Sequence, residues 1–400
     1  MRRRHDRILV VGAGPVGSIA ALLLARAGIP VTLLERESER VIDYRASTMH
    51  PPTLDLLEEC GATAAMLRMG LVAPTMQYRD RKAGKIAEFD LSVLKKDTGH
   101  PYRLQCEQFK LVGWCYEEFA RIPGVDLRFR HRITDVRPGE DEVLLTVETP
   151  EGMKEIPGDY VIACDGGRSD VRKALDIGFA GITYPEHFLV SGTRFDFKSA
   201  MPDICSVNYT ADPDEWYLLL QIPDMWRILL PVDPAKEPDD AVQEDFIQSA
   251  LQNLLPRRER YEIVVRAIYR VSQRVAGTYR KGRAFLAGDA AHINNPIGGM
   301  GLNGGLHDAI NLTQRLATVW HGRAPESELD GYEPQRRPVA VEAIDAMTRR
   351  NKSTLEERDP EVRRRTLAEW ARIAADPELA YKHLLQTSMI GSLRRSGMIG

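Results

Sequence analysis

Long apolar runs are missing from this chain. No stretch approaches the roughly 18 consecutive apolar residues that a membrane-crossing helix needs. After the basic start Met1-Arg2-Arg3-Arg4 comes only Ile8-Leu9-Val10-Val11, too short for the apolar part of a secretory signal and followed by glycines instead of a cleavage site. Cysteine is also scarce: Cys60, Cys106, Cys115, Cys164 and Cys205 are an odd number in 400 residues. None forms a CxxC pair or a metal-ligand spacing, which argues against a disulfide scaffold and a zinc site and for reduced thiols. Net charge is nearly absent as well, at −3, so the global basic field of a nucleic-acid binder is lacking. The expectation is a soluble, cytoplasmic protein with no metal, no membrane and no nucleic-acid partner.

What is there is an ordinary globular balance, 43% hydrophobic and 28% charged, in a chain long enough for two lobes or one elaborated domain. Residues 8–11 are short, continuous and β-branched, the texture of a buried parallel strand. Residues 15–27 read as a helix apolar on most of its surface, stopped by Gly28. A second strand, 31–34, ends on Glu35 and completes a βαβ unit. Further helices are predicted at 52–60 and 107–121, and strands at 127–136, 142–148 and 160–164. From about 186 to 232, apolar runs separated by Pro213-Asp214 and Pro223-Asp224 predict an antiparallel sheet. A helix near 239–254, strands at 261–271 and 283–287, a helix at 302–320 and a charged helical region over 334–400 follow.

Three motifs carry chemistry. Gly12, Gly14 and Gly17 form GxGxxG after a strand and before a helix, the context in which glycines let the backbone approach a pyrophosphate at a helix N-terminus. Pro15 and Val16 lie in the same turn, and Glu35, followed by Arg36, stands where its carboxylate would accept hydrogen bonds from a ribose. The turn alone does not separate NAD from FAD. The second motif, Asp165-Gly166-Gly167-Arg168-Ser169-Asp170-Val171-Arg172, is by itself an Asp-Gly turn with a charged exit. The third runs Gly288-Asp289-Ala290-Ala291-His292 and then Pro296-Ile297-Gly298-Gly299-Met300-Gly301-Leu302-Asn303. Here Asp289 can take hydroxyl hydrogen bonds, and the N–H groups from Met300 to Asn303 suit a delocalised anion.

In this order the three motifs resemble those of the single-component FAD-dependent aromatic hydroxylases, the para-hydroxybenzoate hydroxylase class, over about residues 7–345. The resemblance extends to His307-Asp308-Ala309-Ile310-Asn311-Leu312 and to 329–338. It implies an α/β fold: a Rossmann-like FAD-binding domain (1–180 and 270–345), an inserted antiparallel-sheet substrate domain (181–269) and a helical C-terminal region (346–400). It implies FAD as cofactor and NADH or NADPH as co-substrate. The expected activity is hydroxylation of an electron-rich aromatic or heteroaromatic ring with dioxygen, through a flavin C4a-hydroperoxide, and a homodimer is the assembly carried over. The roles implied are Asp289 at the ribitol and pyrophosphate, Asp165, Gly166 and Arg172 at the cofactor and nicotinamide donor, Arg45 at the pyrophosphate and Gln105 beside the flavin. Gly301, Leu302 and Asn303 face the flavin's pyrimidine edge, and Pro296 and Gly298 sit at the reaction centre. Tyr209, Trp216, Tyr217, Gln221 and Arg227 are the candidates for the substrate wall, with Arg227 suited to a phenol bearing a carboxylate. His292 is expected to structure its turn; His307 reads as a satisfied polar group. The alternatives are a flavin-dependent halogenase, for which no Trp-x-Trp-x-x-x-Pro pattern is present, a reductase of the same fold, and a non-catalytic flavin binder.

Overall fold

The computed structural model describes residues 5–44, 46–344 and 354–400. Ile8–Val11, buried along its whole length, pairs in parallel with Val31–Leu34 on one side and Tyr160–Ala163 on the other. Val125–Arg128 and Ala284–Leu286 extend this parallel sheet outward, and Arg280–Lys281 closes one edge as an antiparallel strand. Its inner strands are buried and almost wholly apolar because helices cover them: Pro15–Arg26, Gln108–Phe119 and Met300–Trp320 share one continuous core with it. A small antiparallel sheet, Arg132–Pro138, Val143–Thr149 and Gly152–Gly158, stands beside it.

The second layer is an eight-stranded sheet. Its long central strands, Phe179–Thr193 and Ile263–Ala276, pair antiparallel with each other; Met225–Val232, Tyr217–Ile222 and Val207–Ala211 follow outward. Side chains alternate between its faces, as a pleated strand requires. One face packs Trp226, Ile228 and Leu230 against Ile247 and Leu251 of the helix Glu244–Leu254. The other turns Leu218, Leu229 and Tyr209 toward the parallel-sheet domain and the C-terminal helices, which supply Trp370, Leu384 and Ile390. Among the described residues no helix is long and apolar enough to cross a membrane.

Several elements differ from expectation. The eight-stranded sheet takes in Thr75–Asp80 and Gly84–Asp90, from the segment assigned above to the FAD domain. Thr75–Asp80 joins by parallel pairing with Val207–Ala211, about 130 positions away along the chain, a partnership no local pattern encodes. The single strand expected at 127–136 is two strands in different sheets, separated at Arg130, whose φ of 58° turns the chain. The helix at 52–60 ends at Leu56, and a further helix, Ala62–Met69, follows.

Candidate active site

A cavity of about 600 Å³ lies between the C-terminal ends of the parallel strands and one face of the eight-stranded sheet. Two helix N-termini open onto it. Pro15–Arg26 starts after Gly14 and Met300–Trp320 after Gly299, and neither has a side-chain cap. The first-turn N–H groups of both are therefore available to an anion, with the helix dipoles in support.

The glycines make these turns possible. Gly12 has φ of +93°, and a Cβ there would lie 2.5 Å from the Cys164 carbonyl oxygen. A Cβ on Gly17 would fall 1.9 Å from the Gly12 carbonyl oxygen, so Gly17 lets the helix close onto its own turn. Around Gly14 nothing lies within 4 Å; that position faces open space. Glu35 holds the turn: its Oε2 accepts from the Ala13 N–H at 2.7 Å and its Oε1 from the Glu37 N–H at 3.0 Å.

The two acidic turns meet across the cavity floor. Asp165 accepts from the Val171 N–H through Oδ2 at 3.1 Å, while its buried Oδ1 has no partner. Burial pushes this carboxyl above its ordinary range. Asp289 presents its side chain on a 3-10 turn, Gly288–Ala290. Behind that turn sits a buried ionic clamp. Asp308 accepts from Gly288 N–H at 3.0 Å, from His292 Nε2 at 2.7 Å and from Arg336 Nε at 2.7 Å. Burial alone would raise the Asp308 carboxyl, but His292 and Arg336 hold it below its ordinary value. His292 thus shapes the turn. His307 is fully buried, its Nε2 is 2.8 Å from Thr53 Oγ1, and desolvation keeps it neutral.

Of the residues expected from sequence, Gly12, Gly14, Pro15, Val16, Glu35, Arg36, Asp165, Gly166, Asp289, Gly301 and Leu302 line the cavity, as do Arg227, Pro296 and Gly298. Five others do not. Gly17 acts through packing, as above. Gln105 is fully buried on a short strand, where its Oε1 accepts from Thr48 Oγ1 at 3.0 Å; Gln108, three residues on, reaches the cavity instead. Arg172 bridges the two acidic turns, donating to the Ala290 carbonyl at 2.9 Å and the Gly167 carbonyl at 2.8 Å, its guanidinium 3.7 Å from the centre of the Phe179 ring. The Asn303 side chain is a brace: it donates to Thr48 and Gly299 carbonyls and accepts from His50 N–H and Thr53 Oγ1. Tyr217 is a correction. It packs with Trp226 and Leu219 on the far face of the sheet, because strand alternation sends Leu218 and Leu220 to the cavity and Tyr217 away. Trp216 is buried, bonding Glu356 through Nε1, and Gln221 accepts from Ser206. Neither lines the cavity. Arg45 lies outside the described residues.

The sheet side of the cavity carries Tyr209, Leu218, Leu220, Arg227, Leu229, Tyr269 and Val271. Arg227 is 5% exposed and donates to Ser47 Oγ at 2.6 Å. Burial lowers its pKa from the ordinary value, with Tyr269, Glu107 and Asp43 pulling the other way; a guanidinium still keeps its proton. Sequence reading missed Ser47, Thr48, Gln108, Tyr116, Tyr269, Asn294 and Asn295, all at the cavity. The pair Asn294-Asn295, two polar residues just before Pro296 in a glycine-rich loop, was the one local signal available.

Comparison with known proteins points the same way. The sequence profile of a family described as "FAD binding domain" matches residues 6–347. Para-nitrophenol 4-monooxygenase of Pseudomonas sp. (strain WBC-3) is 32% identical over 396 residues, spanning 97% of this chain and 97% of the relative. The 6-hydroxy-3-succinoylpyridine 3-monooxygenase HspB of Pseudomonas putida is 35% identical over 346 residues, 85% of this chain and 86% of the relative. The crystal structure of p-nitrophenol 4-monooxygenase PnpA from Pseudomonas putida DLL-E4 superposes with a TM-score of 0.91 at 31% identity, covering 96% of this chain and 98% of that one.

Proposed function

Because this chain belongs to the FAD-binding-domain family, we propose that its large cavity is a chamber in which a hydroxylated aromatic or heteroaromatic ring is held against FAD. The protein is an FAD-dependent enzyme of the aromatic-monooxygenase class; the roles of individual residues, the electron donor and the substrate are our reading. The observation that carries it is the cavity's two-sided construction: anion-receptive helix ends and acidic turns on one wall, an apolar and aromatic sheet with one buried guanidinium on the other.

The residues fit the cofactor. The N–H groups at Gly14 and in the first turn that follows Pro15 would receive the pyrophosphate. Glu35, holding the turn, keeps lone pairs for a ribose hydroxyl, and the unpartnered Oδ1 of Asp165 and the side chain of Asp289 suit further hydroxyls. The N-terminus of Met300–Trp320 would face the ring's electron-rich edge. When bound and reduced, FAD supplies the activation of dioxygen that lets one oxygen atom pass to the substrate.

The rest falls to the chain's own side chains. Leu218, Leu220, Leu229 and Val271 exclude water from the ring's surroundings. Arg227 is placed to fix an anionic substituent and thereby the ring's orientation. Pro296 and Gly298 form the wall opposite. NADH or NADPH is the proposed donor. The free thiols accord with a cytoplasmic setting, and a homodimer is part of the same reading. Both relatives are named for monooxygenation of rings that carry a hydroxyl, which favours this class over a halogenase, a reductase or a silent flavin binder.

The test is to load the purified protein with FAD and follow NADH and NADPH oxidation and oxygen uptake with a panel of phenols and hydroxypyridines. Ligand-accelerated oxidation with a hydroxylated product supports the reading. A protein that takes up no FAD, or that oxidises the donor without any ring product, refutes it.

A further inference from the structure

The loop 294–299 leaves the edge of the eight-stranded sheet, where Ile293 pairs with Arg274, and runs to the start of Met300–Trp320. Asn295 sits at its first bend. Its side chain is completely excluded from solvent, yet it lines the cavity. The Ile297 N–H donates to its Oδ1 at 3.0 Å. That bond fixes which end of the amide is which, an assignment otherwise ambiguous for asparagine: the oxygen serves the turn, so Nδ2 is the end left over. Nδ2 has no hydrogen-bond partner, and neither has the buried Nδ2 of Asn294 beside it.

Leaving a buried donor unmade is costly, and folded proteins seldom leave such groups orphaned. Two adjacent ones, in a loop that lines the same cavity as Arg227, mark a ligand group. An amide NH2 only donates, so the group must accept. With a guanidinium sharing the chamber, an anionic oxygen is the best fit. We infer that Asn295, flanked by Asn294, donates a hydrogen bond to the ring oxygen of the substrate and so selects hydroxyarenes that bind as the phenolate. This rests on the proposed hydroxylase reading and deepens it. Donors and a nearby cation favour the charged form of a phenol and lower its pKa. The proton leaves to solvent on binding, and the ring left behind is richer in electrons, as an electrophilic oxygen transfer requires.

The probe is 4-nitrophenol, whose phenolate is coloured, titrated into the FAD-loaded enzyme across pH without electron donor. The wild-type enzyme should bind it as phenolate, with an apparent pKa below that of the free phenol. Asn295→Asp keeps the oxygen that the Ile297 N–H needs and removes both donors; it should raise that pKa and weaken binding roughly tenfold or more, the worth of one charge-assisted hydrogen bond. FAD affinity should stay within about twofold. Asn295→Ala should shift both quantities in the same direction. Bound 4-nitrophenol that stays neutral in the wild-type enzyme overturns the inference, and needs no variant. So does an Asn295→Asp protein that loses FAD affinity while binding the phenol as before, which would assign the donors to the flavin. A wild-type enzyme that binds phenolate but yields no hydroxylated product would leave this contact standing and sink the proposed function instead.

Discussion

Asp165 keeps a carboxylate where water is scarce, one oxygen tied to a backbone N–H and the other without a partner. Burial raises its pKa, so the folded protein holds that proton more tightly than the unfolded chain. Stability from this group is therefore greatest below the ordinary carboxylate pKa of about 4 and falls as pH climbs through the folded value. Asp165→Asn should remove that loss. In FAD-free protein, its melting temperature should pull ahead of wild type as pH rises from about 4 to 8, while its FAD affinity drops. A stability difference that stays flat with pH contradicts this account of Asp165. At Arg227, replacement by Met should leave FAD binding in place and weaken anionic ring ligands by roughly tenfold or more; equal loss for charged and uncharged ligands would show that the guanidinium serves packing alone.

Among the elements, the glycine turn separates fold from ligand. Gly17→Ala places a Cβ 1.9 Å from the Gly12 carbonyl oxygen and should destabilise the FAD-free protein by about 1–3 kcal/mol or more. Gly14→Ala meets nothing within 4 Å; it should leave the FAD-free melting temperature nearly unchanged while weakening FAD, because the new methyl occupies the space the proposed site leaves to the pyrophosphate. The clamp behind the Asp289 turn is the other sensitive element. Asp308→Ala leaves Arg336 buried without its counter-charge and His292 Nε2 without its hydrogen-bond partner, which should cost about 3–5 kcal/mol by denaturant unfolding. A loss under 1 kcal/mol would mean the clamp does not hold the turn.

These elements show where sequence is legible. The parallel strands, the turn at Gly12 and the helices at 15–26, 108–119 and 300–320 are local: periodicity and glycine spacing specify them. The substrate wall is harder. Leu218 and Tyr217 are neighbours in an apolar run, and only the pairing of Tyr217–Ile222 with its neighbour strands decides which faces the cavity. Aromatic character favoured Tyr217; the pleat chose Leu218 and Leu220. Gln108 and Ser47 were invisible for a related reason. Each reaches the cavity because distant segments converge there: Arg227 meets Ser47 across 180 positions. Motifs mark the cofactor side because the backbone does that work, whereas the substrate side is assembled from side chains that lack fixed spacing.

At the scale of the whole molecule, the proposed arrangement has one sheet present a cofactor and another present a ring, with the loop 294–299 lining the cavity they share. The C-terminal helices belong to this arrangement, since Trp370, Leu384 and Ile390 pack on the same face of the eight-stranded sheet as the cavity-lining Tyr209 and Leu229. The domain boundaries at 181 and 269 remain our proposal, with Thr75–Asp80 and Gly84–Asp90 reaching into the sheet from outside them. The central claim is that this chamber transfers an oxygen atom from dioxygen to a hydroxylated ring. The most direct measurement is a turnover of FAD-loaded enzyme with NAD(P)H, a phenol it binds and isotopically labelled dioxygen, with the product analysed by mass spectrometry. The account predicts one labelled oxygen in the ring product for each coupled turnover. Donor oxidation that yields only hydrogen peroxide across the phenol panel, or a ring product whose new oxygen comes from water, would contradict it.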